Sequence, residues 1–75
     1  MSSKQTDVFL KKLSLRLAEL RRRADMTQEG LAERADIDRV ALANIETGRR
    51  HPTVTTVYKI ATALNVKVED VFKGL

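Results

Sequence analysis

Apolar residues recur along this chain with a helical rhythm and nowhere with the alternation of a strand. Leu10, Leu13, Leu17, Leu20 and Ala24 fall three and four residues apart, the spacing that brings side chains onto one face of a helix. The segment through Thr6 is polar and reads as frayed. A first helix is therefore expected to open at Asp7, as N-cap or first-turn acid, and to close on Arg21, Arg22 and Arg23, where cations suit the helix dipole. Ala24 to Thr27 breaks it. Thr27 has the chemistry of the next N-cap, with Gln28 and Glu29 behind it and Leu31, Ala32 and Ala35 as an inner stripe. Gly30 inside that helix is unfavourable by roughly 1 kcal/mol relative to Ala. Ala35-Asp36-Ile37 forms a tight turn. Asp38 then caps a third helix that runs to about Thr47 before Gly48 ends it. Pro52 and Thr53 turn the chain and cap a fourth helix, with Val57, Ile60, Ala61 and Leu64 inward and Asn65 as its left-handed end. Val68, Val71 and Phe72 predict a last short helix ending near Gly74. The pattern predicts an all-α fold of five helices, one domain over residues 1–75 with 1–6 flexible.

The third helix departs from an ordinary surface helix. Ile37, Ala41, Leu42 and Ile45 form its buried face, which leaves Arg39, Val40, Ala43, Asn44 and Thr47 outward. A solvated face is normally charged. This one combines a forked donor, an amide and small apolar groups, which match guanine, adenine and the thymine methyl in a DNA major groove. The bland alternative is an unremarkable surface on which Arg39 pairs with Asp36 or Asp38.

Composition narrows the function classes. Seventy-five residues carry 14 Lys and Arg against 10 Asp and Glu, a net charge of +4, with a pI near 9.9. That balance favours anionic partners such as nucleic acid. A chain this short buries only about 60–65% of its unfolded surface, and it has no Cys with which to staple itself. The single His51 excludes a His cluster, so neither a metal site nor a cofactor is expected. No nucleophile sits beside a base, which argues against an enzyme. No apolar run approaches a membrane span, and the N-terminus lacks the apolar stretch of a signal peptide, so a cytoplasmic location is expected and no membrane partner.

The stretch from Leu17 to Phe72 resembles the Cro/repressor-type, XRE-like helix-turn-helix DNA-binding family, which includes phage repressors and restriction–modification controller proteins. The resemblance rests on Arg21, Thr27-Gln28-Glu29 with Leu31-Ala32, Asp38-Arg39, Ile45-Glu46 with Gly48, Pro52, and Ala61 through Val66. It implies that helix 3 lies in the major groove with Arg39, Val40, Ala43 and Asn44 as base-reading residues. It places Gln28, Thr27, Thr47, Arg49, Arg50 and His51 against phosphates, where helix N-termini and basic loops hold anions; His51 has the alternative of bracing Pro52. It also implies an ion pair between Arg21 and Glu46 tying helix 1 to the end of helix 3; the alternative for Glu46 is a solvated acid. Ala32 is expected where helices 2 and 3 cross. The chain departs from the family pattern at Asp36 and Asn65, each in place of Gly, and at Gly30, in place of a charged residue.

The reading that follows is a transcriptional regulator acting as a homodimer on a palindromic operator of double-stranded DNA, without a small-molecule ligand. Helices 4 and 5 are expected to form the dimer through Val68, Val71 and Phe72, which lie at the end of a chain too short to bury them alone. The competing reading is an antitoxin or adaptor whose main partner is another protein. Its candidate surface is the start of helix 1, where Val8, Phe9 and Leu15 exceed what one core face needs.

Overall fold

The computed structural model describes residues 3–75. Five helices follow one another: α1 (Lys4–Arg23), α2 (Gln28–Ala35), α3 (Arg39–Glu46), α4 (Val54–Ala63) and α5 (Val68–Phe72). No strand occurs among the described residues. The core draws on every helix: Leu17, Leu31, Leu42, Ile60 and Val71, one from each, are its largest fully buried side chains. Ala32 is buried with them, and its carbonyl accepts from the Ile37 amide at 2.9 Å, closing α2 onto the turn before α3.

Capping sets the helix starts. Thr27, Asp38 and Thr53 sit in extended backbone and accept from the amides of Gly30, Ala41 and Thr56, each satisfying a donor the first turn leaves orphaned. The first helix begins earlier than its apolar rhythm suggests. Ser3 caps it, its hydroxyl accepting from the Thr6 amide at 3.0 Å. Lys4, Gln5 and Thr6 are thus helical, and Asp7 is a first-turn acid rather than the cap. An outward-facing first turn needs no apolar residue, so periodicity could not register it. Residues 1 and 2 of the expected flexible segment lie outside the described residues. At the other end Ala24 is exposed, just past the helix, instead of continuing the inner stripe. Gly30 has a local reason: a Cβ there would lie 3.2 Å from the capping hydroxyl of Thr27.

Four helices end in the same way. Asp25, Asp36, Gly48 and Asn65 adopt φ values of 56, 56, 79 and 59°. The residue after each donates its amide five positions back: Met26 to Arg21, Ile37 to Ala32, Arg49 to Asn44 and Val66 to Ala61. This is the Schellman closure, which a hydrophobic contact of the closing residue commonly accompanies. Met26, Ile37 and Val66 pack against the core. Arg49 is exposed. The left-handed region costs an L-residue roughly 1–2 kcal/mol, partly offset when Gly is substituted by glycine's extra freedom in the unfolded chain. Asp36→Gly is therefore expected to raise stability by about 0.5 kcal/mol and the melting temperature by a few degrees. A lower melting temperature would mean that the Asp36 side chain itself holds the turn.

The last helix corrects the sequence-based expectation. Val71 is fully buried inside the protomer, so it is a core residue and presents nothing to a partner. Val68 is half-buried and packs against the core. Phe72 stacks on Phe9 of α1, ring centroids 6.3 Å apart and planes within 5°. Arg16 holds α5 in place, its Nη1 donating to the carbonyls of Asp70 at 3.1 Å and Val71 at 3.2 Å.

Candidate nucleic-acid interface

The turn between α2 and α3 projects α3 with its first turn outward. Asp38 Oδ2 accepts from the Ala41 amide at 3.0 Å, so this carboxylate is committed to the helix start. Arg39 follows immediately and is exposed. No ion pair engages it among the described residues, and its guanidinium is not held by Asp36 or Asp38. Val40 is 55% exposed. Ala43 and Asn44 are half-buried on the same side of the helix.

A buried polar node supports this element from behind. Arg21 Nε donates to Glu46 Oε2 at 2.8 Å and Nη2 to Glu46 Oε1 at 3.0 Å, a bidentate pair. The side chains are 12% and 3% exposed. The third guanidinium nitrogen, Nη1, donates to the Met26 carbonyl at 2.8 Å. Gln28 joins from the first turn of α2, its Nε2 donating to Glu46 Oε1 at 3.0 Å. The Glu46 carboxylate thus ties the end of α3 to α1 and to the start of α2, and Arg21 adds the loop after α1. No buried side-chain nitrogen or oxygen among the described residues lacks a partner, so the node is fully satisfied, the condition under which a buried ion pair is tolerable.

The helix-turn-helix family model matches residues 17–71 of the chain. An uncharacterised HTH-type transcriptional regulator of Archaeoglobus fulgidus is 40% identical over 57 residues, covering 76% of this chain and 80% of the relative. The control protein C.MunI of a Mycoplasma species is 30% identical over 61 residues, 80% of this chain and 82% of that protein. Among solved structures, the restriction–modification controller protein C.AhdI of Aeromonas hydrophila superposes with a TM-score of 0.81 at 35% identity, covering 84% of this chain and 96% of that one. This chain belongs to the helix-turn-helix family. The all-α fold and the family resemblance carried by its residues both stand.

Within the helix-turn-helix, the residues expected to meet phosphates fall into two groups. Arg49, Arg50 and His51 are exposed in the loop between α3 and α4. The amides of Arg49 and Arg50 both reach the Asn44 carbonyl, at 2.9 and 3.2 Å, so backbone bonds fix the loop to α3 and leave the side chains free. Thr27, Gln28 and Thr47 are already engaged. The Thr27 hydroxyl accepts from the Gly30 amide, and the Thr47 hydroxyl donates to the carbonyls of Ala43 and Asn44 at 3.1 and 3.2 Å. The Thr47 proton is thereby spent within the helix. Gln28 retains a second amide hydrogen and its carbonyl oxygen, but the bond to Glu46 dictates its orientation.

Two features of the helix-turn-helix surface were missed in the sequence. Arg16 reads as one more cation on α1, and nothing in its spacing reveals a bond to carbonyls in α5. Val54 and Tyr58 stand 86% and 60% exposed on the outward side of α4. They are four residues apart along one flank of the inner stripe of Val57, Ile60 and Ala61, and the outward arc beside them carries Thr55 and Thr62 and only one charge, Lys59. A count of apolar residues around the fourth helix, rather than along its inner stripe alone, would have found them.

Proposed function

We propose that this protein is a sequence-specific DNA-binding transcriptional regulator, acting in the cytoplasm as a homodimer on a palindromic operator. The observation that carries the reading is the outward start of α3, where Arg39 and Val40 are free of intramolecular partners beside an anchored loop of unpaired arginines. An α3 lying in the major groove brings the Arg39 fork to a guanine edge, Val40 to a thymine methyl, and Ala43 and Asn44 one turn further along. Arg49 and Arg50, with His51 beside them, follow the phosphate backbone and set the register without reading sequence. Gln28, with its amide steered by Glu46, and Thr27 at the α2 N-terminus meet a phosphate from the other side, where free amides and the helix dipole favour an anion. Catalysis forms no part of this reading, nor does a cofactor or small-molecule effector.

The proposed dimer uses the sparsely charged outward stripe on α4. Val54 and Tyr58 supply its apolar contact, with Val68 and the exposed edge of Phe72 as the contribution of α5. A twofold axis there sets two recognition helices one DNA turn apart, about 34–36 Å. Tyr58→Glu places two like charges across the axis and is expected to give a monomer in sedimentation with its melting cooperativity intact. A dimer of unchanged affinity would remove α4 from the interface.

Selection of bound duplexes from a random pool tests the function as a whole, with an inverted repeat as the expected product. Recovery of no preferred sequence would sink the reading. The loop makes a separate, graded prediction. Arg49→Ala and Arg50→Ala should each weaken binding to every duplex alike and reduce the slope of log K against log salt by about one ion. A changed base preference in either variant would reassign that arginine from backbone to base edge.

A further inference from the structure

We propose that the outward strip of α1 is a docking surface for an acidic amphipathic helix of another protein. Val8 and Leu15 are 48% and 58% exposed. They are seven residues apart, two helical turns, and therefore stand on one line about 10.5 Å in length. Lys4, Lys11 and Lys12 border that line on both sides and are exposed. None of the three ammonium groups is within ion-pair distance of a carboxylate among the described residues, and Glu19, further along the same face, is taken by Arg23. An apolar spine between rows of unpaired cations is the complement of a helix that presents apolar residues at the same repeat with carboxylates beside them.

The chemistry discriminates among occupants. Nucleic acid gains little from Val8 and Leu15, whose surroundings offer no base-reading geometry. A membrane surface needs a wider apolar face than Val8 and Leu15 with the edge of Phe9, whose ring is stacked on Phe72. A second copy of this chain is a poor match: a twin α1 brings the same lysines, the α4 stripe of Val54 and Tyr58 has Lys59 and no carboxylate beside it, and the outward residues of α2, Glu29, Glu33 and Arg34, include no exposed apolar group. The strip is also open to a partner. α1 packs against α3 and α5, and Val8 and Leu15 remain exposed beside these contacts. Leu15 and Lys11 additionally line a groove of about 530 Å³ between α1 and the end of α3, with Leu10 also in its lining, a recess suited to one apolar side chain of the incoming helix. The strip of Val8 and Leu15 is distinct from the outward face of α3 and from the α4 stripe, while its groove borders Thr47, Gly48 and His51, so the test is run on the protein without DNA.

The experiment titrates isotope-labelled full-length protein with short synthetic helical peptides that carry leucines at seven-residue spacing flanked by glutamates. Peptides flanked by lysines serve as controls, and amide shifts are followed by NMR. The expected result is shifts confined to residues 4–16 and to the groove, with affinity falling as salt rises. Leu15→Ser and Val8→Ser replace exposed side chains and leave the core intact. Each should weaken peptide binding about tenfold while DNA retardation and dimer mass stay as in the parent. Three titration results overturn the proposal: no shift at millimolar peptide across the set, equal binding of lysine-flanked peptides, or shifts centred on Arg49 and Arg50 instead of α1. A loss of dimer mass in Leu15→Ser also overturns it, by making the strip a contact between copies.

Discussion

Arg21→Ala is expected to destabilise the protein by about 3–5 kcal/mol, a large share of what a domain of this size has. The loss is not that of a surface ion pair. Arg21 makes three hydrogen bonds, two to Glu46 and one to the Met26 carbonyl, and truncation leaves a carboxylate of 3% exposure with only the Gln28 amide for company. Glu46→Ala should cost a similar amount by stranding the guanidinium. The double variant should be less damaged than the sum, because neither charge is then left alone in the interior. Thermal or urea melts of the three proteins give the coupling. Additive losses would show that the two groups do not act as a pair. Replacing both by well-packed apolar residues is a sharper version of the test, since a node that matters for positioning rather than stability would then yield a stable protein with weakened operator binding.

Arg39→Ala is expected to weaken binding to the preferred operator by about 1–3 kcal/mol per half-site and to relax the preference at one base pair in each. Stability should barely change, because the side chain is exposed and has no intramolecular ion pair. Binding to random duplex should fall much less. Retardation assays on operator and random DNA, run at one salt concentration, separate the outcomes. Equal losses on both would make Arg39 a phosphate contact, and base recognition would then rest on Asn44 with Val40. The expectation draws its strength from Asp38, which spends its carboxylate on the Ala41 amide instead of on the adjacent guanidinium.

The parts of the molecule that local chemistry governs were readable in the sequence. Thr27, Asp38 and Thr53 cap where hydroxyl and carboxylate side chains precede an apolar period, and Asp36, Gly48 and Asn65 end helices where small or amide-like residues tolerate the left-handed region. The inner stripes of α2 and α4 followed from spacing alone. What escaped depends on contacts across the chain. Chain length alone implies a core too small to cover Val71, yet α5 lies against α1 and α4 and the burial is complete. The orientation of Gln28 also escaped, since its proximity to Glu46 exists only once α2 and the end of α3 are brought together. The outward placement of Arg39 and Val40 was legible from the spacing of the inner stripe of α3, and both are exposed.

The ending of α3 differs from its three counterparts in one respect with an evolutionary consequence. Asp25, Asp36 and Asn65 are each followed by an apolar residue that the core requires, so drift there is punished by unfolding. Gly48 is followed by Arg49, which the core does not touch, while the Asn44 carbonyl holds the amides of Arg49 and Arg50 regardless of their side chains. The path of this loop is therefore nearly indifferent to what it displays. Its cations can be added, removed or exchanged with little thermodynamic penalty to the folded state, and under the proposed phosphate role of Arg49 and Arg50 descendants of one ancestor can be retuned from weak to tight operator occupancy through two adjacent codons while the rest of the scaffold is left alone.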